Sequence, residues 1–324
     1  MLAPDDHDPW TVPTDAPADA EPHDLLRLAL HFALLAPSPG NTQPWRFLLD
    51  GERVELYSDP SRRRPAHDPD DQQRLLAGGS ALALLRVALR AFGLAESTEL
   101  LPGDHPDLLA RVTLDGSVAP SPEDTWLLQA APKRRTHRGL LASRPVRPRL
   151  LERLVDLSRE TGASLLALSS HQRAALARRV DAAAEQAARD DALRDERLAW
   201  PTAGPEPFEA TDGGPARGDA ILEGSPVLAL LTTPGDAPHD WLIAGQALAR
   251  VLLRGRVDHL YASFFPAVLA RAADRARVAE EAAVLGDMSQ SPGHAQVALR
   301  LGYGSDLPAV PRRPLADVLL AARP

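Results

Sequence analysis

Polar side chains suited to ligand binding lie first in residues 36–47, which read A-P-S-P-G-N-T-Q-P-W-R-F. This segment brings Ser38, Asn41 and Gln43 together within six residues. Side-chain amides and turn N–H groups can pair with the carbonyl acceptors and the N–H donor of a flat heterocycle. The prolines and the glycine equally predict a helix-stopping turn whose polar groups bond its own backbone, so both interpretations stay open.

A basic segment, K-R-R-T-H-R at residues 133–138, holds a second set of candidates. Its candidate binding side chains are those of Arg134, Arg135, Thr136 and Arg138. Guanidinium forks beside a hydroxyl suit a phosphate dianion. Arg312 and Arg313 form a further basic pair near the C-terminal end. Only one of the 36 basic side chains is a lysine, so short arginine clusters are frequent in this chain, and solvated surface runs are the alternative interpretation.

Composition excludes several other kinds of chemistry. The 324 residues carry a formal net charge of −8, which is not typical of a broadly basic nucleic-acid binder. The absence of cysteine excludes disulfides, thiolate nucleophiles and iron–sulfur clusters. None of the ten histidines has an H-E-x-x-H spacing, and neither a G-x-S-x-G elbow nor a P-loop is present. We therefore expect no metal site, and any redox chemistry would need a borrowed cofactor.

The elements that must position these residues follow from apolar spacing and turn signals. Helices are predicted at 23–36, 72–92, 148–161, 171–189 and 240–253, with a helical stretch near 266–284. Strands are predicted at 45–49, 53–57, 112–114, 164–168, 227–231 and 296–301. The Asp50-Gly51 dipeptide predicts a hairpin between the first two of these strands.

Two segments interrupt this pattern. Residues 1–22 are acidic and proline-rich without a basic side chain, which predicts a disordered tail. Residues 190–224 are too long for an ordinary connection and predict either disorder or a functional lid. No apolar stretch reaches the roughly 18 residues needed to cross a bilayer, and the N-terminus lacks a basic leader region, so we expect a cytoplasmic protein.

Taken jointly, the polar and basic segments resemble the nitroreductase superfamily. P-S-x-x-N-x-Q-P-W followed by a strand is similar to its flavin-contacting motif. R-x-S/T-x-R is its phosphate-binding motif and is matched here by Arg134, Thr136 and Arg138, while Arg312-Arg313 resembles its second phosphate contact. The likeness runs from about residue 23 to residue 320.

The order of the motifs distinguishes this chain from ordinary members. In those, R-x-S-x-R precedes the flavin-contacting motif within one subunit, and the flavin lies at a homodimer interface. Here the first half has only the latter motif and the second half only the former, which is similar to the Acg-type subgroup of fused pseudo-dimers. The region around Trp200 and residues 212–215 resembles the lid of that subgroup, within an insertion at about 190–224.

The resemblance implies an α+β nitroreductase-like fold with mixed, mainly antiparallel sheets. Residues 23–131 and 132–324 would be the two halves, fused as a pseudo-dimer around core helices at 77–92 and 240–254. A short internal echo, L-A-G-G-S-A-L at 76–82 and I-A-G-Q-A-L at 243–248, favours duplication. A monomeric pseudo-dimer is expected, and a higher oligomer stays open.

The resemblance also implies FMN as cofactor and NAD(P)H as reductant. Arg134, Arg135, Thr136, Arg138, Arg312 and Arg313 would hold the phosphate end, and Ser38, Asn41 and Gln43 would address the ring. No side chain is implied as a nucleophile. Residues 257–268 depart from the subgroup because they lack its glycine and its Gln/Glu pattern.

Three functions fit these expectations. The first is an FMN-dependent oxidoreductase that passes hydride from NAD(P)H to a small electron-poor acceptor. The second is a non-catalytic FMN storage or sequestration protein with a lid over the flavin, and the third is a dehydrogenase in a biosynthetic pathway. The residues do not identify the acceptor.

Overall fold

Two four-stranded antiparallel sheets and the helices packed on them make up the fold. The computed structural model describes residues 8–16, 19–200, 224–285 and 293–323. The predicted α+β class is confirmed. Within the described ranges, no helix is both long and apolar enough to cross a membrane.

The first sheet is built from strands of the first half of the chain. Its strands are β1 (Trp45–Asp50), β2 (Arg53–Ser58), β3 (Leu94–Leu100) and β4 (Leu108–Ser117), in the order β1-β2-β4-β3. The predicted hairpin joins β1 to β2, and Gly51 takes the left-handed conformation (φ +58°) that glycine adopts without strain. Strand β3 was not predicted, because its sequence L-A-E-S-T-E-L is mostly polar and it lies half-exposed at the sheet edge.

The second sheet repeats the strand order of the first. Its strands are β5 (Ser164–Ala167), β6 (Val227–Thr233), β7 (Leu260–Phe264) and β8 (His294–Tyr303), in the order β5-β6-β8-β7. Strand β7 lies in the 257–268 segment, to which the sequence analysis assigned no strand. In each sheet, therefore, the last strand in the chain lies between the second and the third, and the third strand forms the edge.

Eight α-helices lie in the described part of the chain. They are α1 (Pro22–Ala33), α2 (Gln72–Ala91), α3 (Pro122–Ala130), α4 (Pro148–Glu160), α5 (Ser170–Arg189), α6 (Asp191–Ala199), α7 (Pro238–Val257) and α8 (Ala272–Leu285). Proline stands in the first turn of α1, α3, α4 and α7, where its missing N–H has no intrahelical partner to lose. Helix α3 was not predicted; a capping box between Ser121 and Asp124 starts it, and its apolar face is short.

The two halves meet where α2 crosses α7. A Cβ added to Gly79 would stand 2.3 Å from the carbonyl oxygen of Leu242, and one added to Gly245 would stand 2.1 Å from that of Leu76. The Ser80 hydroxyl donates a 3.0 Å hydrogen bond to the carbonyl of Gly245. The helices therefore pack backbone against backbone, and the residues that allow this are those of the internal echo.

The C-terminal segment returns to the first sheet. The Phe47 N–H donates to the carbonyl of Val318 (2.8 Å), and the Leu320 N–H donates to that of Phe47 (2.7 Å), beside a parallel bridge between β1 and Leu319. Leu315 and Val318 are buried in the core of the first half. The segment that carries Arg312 and Arg313 is thus held by the other half of the chain.

Residues 8–16 and 19–22 of the N-terminal segment are among those that the structure describes. Residues 9–11 form a 3-10 helix capped by Asp8, and Val12 is buried in the core of the first half. The composition of residues 1–22 predicted disorder, but an averaged composition does not register two apolar side chains, Trp10 and Val12, that find places on the folded chain. Of the predicted lid, residues 201–223 lie outside the described part of the chain.

Candidate functional site

The turn between α1 and β1 carries Ser38, Asn41 and Gln43. Gly40, Asn41 and Gln43 all have left-handed backbones, with φ of +56°, +54° and +49°. The Ser38 hydroxyl accepts from the Gln43 N–H at 2.9 Å, and the Gln43 amide donates to the Asn41 carbonyl at 3.2 Å. Each non-glycine residue held in such a conformation costs about 1–3 kcal/mol, and such strain is concentrated at functional sites.

The amide side chains of this turn hold the C-terminal segment. The Asn41 amide donates to the Pro311 carbonyl (3.0 Å), and its oxygen accepts from Arg312 (2.8 Å). The Gln43 side-chain oxygen accepts from the Arg313 N–H at 2.7 Å. Asn41 and Gln43 therefore bring the C-terminal arginines to the turn, a role that the sequence analysis did not foresee.

Arg134 and Arg312 come together at the end of α1. Arg134 donates to the Leu35 carbonyl at 2.9 Å, and Arg312 donates to the Ala36 carbonyl at 3.3 Å. Arg134 is 4% exposed, Arg312 is half-buried, and the Nε atoms of both are buried without a hydrogen-bond partner. Residues from two distant parts of the sequence thus share one site beside the turn.

The charges of these two arginines are not balanced by the described part of the chain. Burial, with a smaller contribution from neighbouring Arg135, lowers the pKa of Arg134 to about 10. Burial, with Arg134 and Arg135 beside it, holds the pKa of Arg312 well below its ordinary value. No carboxylate of the described residues contributes to either shift.

A phosphate group fits this arrangement. Burying a charge is costly unless it is paired, and backbone carbonyls only partly offset the loss of solvent. An anion bound here would supply the missing negative charge and accept from the free Nε–H groups in charge-assisted hydrogen bonds. The phosphate of FMN is such an anion.

Arg135 lies beside the pair and packs on an aromatic ring. It donates to the carbonyls of Pro132 (2.9 Å) and Arg134 (2.7 Å). Its guanidinium carbon stands 3.9 Å from the ring centre of Trp10, and that of Arg312 stands 4.8 Å from the same ring. Sequence analysis missed Trp10; the only available signal was a large aromatic residue in a segment otherwise rich in proline and acid.

The rest of the basic segment is shaped by the second sheet. Thr136 forms a parallel bridge with Ala262 of β7, and the His137 N–H donates to the Ala262 carbonyl at 2.9 Å. Arg300 of β8, fully buried, donates to the carbonyls of His137 and Arg138, each at 3.2 Å. Thr136 and Arg138 themselves stay partly exposed. Arg300, also missed from the sequence, holds the backbone of this segment in place.

Arg313 takes a different position from Arg312. Its guanidinium lies 3.4 Å from the Asp59 carboxylate, which is 1% exposed, and donates to the Gln43 carbonyl at 3.3 Å. Its guanidinium therefore has a carboxylate partner, which Arg46 (3.1 Å) and Arg62 (3.9 Å) share, whereas no carboxylate of the described residues contributes to the pKa of Arg312. The structure brings Arg312 to Arg134 and pairs Arg313 with Asp59.

Relatives of the chain match it along most of its length, although no protein-family model matches it. A Mycobacterium tuberculosis protein named "Putative NAD(P)H nitroreductase Rv3131" is 29% identical, over 93% of this chain and 92% of the relative. A second protein of this organism, "Uncharacterized protein Rv3127", is 27% identical over 91% and 92%. A third protein of the organism, named "Putative NAD(P)H nitroreductase acg", is 34% identical over 30% of this chain and 29% of its own length.

Solved structures that are similar to the chain include proteins named as nitroreductases. The FMN-dependent nitroreductase NfnB of Mycobacterium smegmatis, in complex with NADPH, is 16% identical with a TM-score of 0.39, covering 61% of this chain and 100% of NfnB. A Bacteroides fragilis nitroreductase with bound FMN is 11% identical with a TM-score of 0.40, covering 58% and 92%.

The resemblance to the nitroreductase superfamily that the two motifs predicted is confirmed by these sequence relatives. The chain is similar in sequence to the two Mycobacterium tuberculosis proteins named as NAD(P)H nitroreductases, Rv3131 along most of its length and acg over a shorter stretch.

Proposed function

We propose that the chain is an FMN-binding NAD(P)H oxidoreductase of the nitroreductase type. When bound, FMN supplies the group that takes hydride from NAD(P)H and passes it to a small electron-poor acceptor. A relative named as an NAD(P)H nitroreductase matches more than nine-tenths of the chain, and this supports the class of reaction. No side chain is assigned a nucleophilic role.

The observation that carries the proposal is the pair Arg134 and Arg312. Two desolvated guanidinium groups from distant parts of residues 132–324 meet beside the strained polar turn of residues 23–131, with no carboxylate of the described residues to neutralise them. A purely structural role as caps for the carbonyls after α1 would leave both charges unbalanced. A bound phosphate balances them.

The chain's own residues would divide the work by position. Arg134 and Arg312 hold the phosphate, with Arg135, Thr136 and Arg138 on the neighbouring stretch of backbone. Ser38, Asn41 and Gln43 shape the turn at which the ring would be addressed. Arg313 reaches the site through its backbone, because its guanidinium is committed to Asp59.

The site would be composite, formed by two nitroreductase-like halves fused as a pseudo-dimer. The shared strand order of the two sheets and the crossing of α2 and α7 through the echoed glycines support this. The turn comes from residues 23–131 and the basic segment from residues 132–324. The first half has no second copy of the basic motif, which supports one site per chain.

Binding of FMN and of riboflavin, which lacks the phosphate, tests the proposal. Arg134→Met and Arg312→Met should each weaken FMN affinity about ten- to a hundredfold, because each removes a charge-assisted contact worth about 1.5–3 kcal/mol. Riboflavin affinity should stay the same. Arg159→Met, at an exposed arginine on α4, is the matched control. Unchanged FMN affinity in both variants, with folding intact by circular dichroism, would contradict the assignment.

An anaerobic visible spectrum tests turnover. Flavin bands that bleach on addition of NADPH or NADH would show that the reductant reaches the ring. A colourless protein that takes up no added FMN would refute the whole proposal.

A second candidate function is FMN storage without turnover. It is favoured by the contacts that hold helix α6 and Trp200 against residues 62–67. Glu196 of α6 accepts from the N–H groups of Ala66 and His67, each at 3.0 Å, and the Trp200 ring centre lies 5.5 Å from the Arg62 guanidinium carbon. Arg62 in turn donates to the Thr42 carbonyl of the turn at 2.7 Å. The chain entering the predicted lid is therefore tied beside the turn.

Flavin bands that persist with both nucleotides, yet bleach with dithionite, would favour storage. Glu196→Ala should then allow bleaching by NADPH, because it releases α6 from residues 66 and 67. If the wild-type protein bleaches as readily as this variant, the storage function is wrong.

A further inference from the structure

Trp10 lies over the arginines of the candidate phosphate site. Its ring centre is 3.9 Å from the guanidinium carbon of Arg135 and 4.8 Å from that of Arg312. We propose that Trp10 is a positioning residue that holds Arg135 and Arg312 in place for the phosphate of FMN. This inference rests on the proposed function.

The site needs such a group because its arginines repel one another. Arg134, Arg135 and Arg312 stand close enough for their charges to act on one another, in a region from which water is partly excluded. Repulsion between like charges so placed makes it costly to hold the three side chains together. The negative face of an aromatic ring attracts guanidinium groups within about 6 Å without adding a formal charge, so it can hold them without neutralising the site.

Trp10 is itself fixed in position. Its indole N–H donates a 2.7 Å hydrogen bond to the carbonyl of Val310, two residues before Arg312. Its backbone N–H donates to the Asp8 carboxylate at 3.1 Å, and Val12 is buried in the core of the first half. The ring is therefore tied both to the segment that carries Arg312 and to the body of the first half.

Trp10 also connects the two arms of the site. Arg135 belongs to the basic segment, and Arg312 belongs to the C-terminal segment that the turn at Asn41 holds. One ring in contact with both fixes the separation of their charges. A phosphate with three terminal oxygens gains affinity when its donors are set before it binds.

The test compares Trp10→Ala and Trp10→Phe with the control Trp126→Ala, which removes a tryptophan that is 51% exposed on α3. Affinities for FMN and for riboflavin are measured for each protein by fluorescence titration. Trp10→Ala should weaken FMN binding about five- to thirtyfold, the range expected from loss of one to two cation–π contacts, and leave riboflavin binding unchanged. Trp10→Phe keeps the ring and should recover FMN affinity to within about threefold of wild type. Trp126→Ala should match wild type with both flavins.

The outcomes separate this inference from the proposed function. Equal losses for FMN and riboflavin in Trp10→Ala would mean a general structural role and would overturn the inference. The inference is also overturned if Trp10→Ala binds FMN as tightly as wild type while Arg134→Met and Arg312→Met bind it more weakly. In that case the proposed function would still stand. If the arginine variants also bind FMN normally, both proposals fail.

Discussion

Replacing Gly245 by alanine tests the crossing of α2 and α7 on which the shared site depends. The new Cβ would stand 2.1 Å from the Leu76 carbonyl oxygen and 2.9 Å from the Ser80 backbone nitrogen. These are backbone atoms of another helix, so the overlap cannot be relieved by rotating a side chain. The two helices must move apart along the whole crossing.

The matched control is Gly255→Ala in the same helix. A Cβ at Gly255 would meet the Leu260 Cβ at 3.5 Å, an ordinary van der Waals distance. Both replacements gain helix propensity of up to about 1 kcal/mol, so the difference between them reports the overlap. Overpacking a close-packed core costs about 1–3 kcal/mol, and the upper part of this range applies because backbone must shift.

Thermal and urea unfolding of both variants beside the wild type give the measurement. Gly245→Ala should unfold at a lower temperature and lower urea concentration than wild type, and Gly255→Ala at equal or higher values. FMN affinity should fall in Gly245→Ala alone, because the turn and Arg134 belong to opposite halves. Equal stability of the two variants would refute the close backbone approach.

Two further predictions concern buried polar groups. Ser80→Ala should destabilise the protein by about 1 kcal/mol, since it removes the buried hydroxyl bond to Gly245, and urea unfolding checks this. Burial alone would raise the pKa of Glu55, but hydrogen bonds from Tyr57, Arg323 and Arg111 outweigh it and lower the pKa. A carboxylate whose pKa is lowered by folding stabilises the folded state at pH values above 4.5, its pKa in the unfolded chain. This stabilisation is lost as the pH falls through the lower pKa that the carboxylate has in the folded state. The free energy of unfolding of Glu55→Gln should therefore be lower than that of wild type at pH 7, and the difference should shrink toward pH 3. A difference that stays constant between pH 7 and pH 3 would contradict the assignment.

Local chemistry made much of the fold predictable. The Asp50-Gly51 hairpin, the long helices α2 and α7 and the buried strand β6 were predicted because their turn residues and apolar spacing act over a few neighbouring positions. Strands β3 and β7 and helix α3 were not, since β3 is half-polar, β7 is short and α3 has a narrow apolar face. Strand β3 is stabilised by its pairing with β4 and strand β7 by its pairing with β8, while helix α3 packs on α2 and α7.

The candidate site divides in the same way. The sequence by itself determined which residue types could bind a flavin phosphate and a ring, through two motifs that resemble those of the nitroreductases. Only the tertiary structure decided that Arg312 joins Arg134 while Arg313 pairs with Asp59, and that Trp10 joins the arginines. Adjacent arginines are chemically the same in a sequence, and their roles differ because chain folding places a buried carboxylate beside one and none of the described carboxylates beside the other.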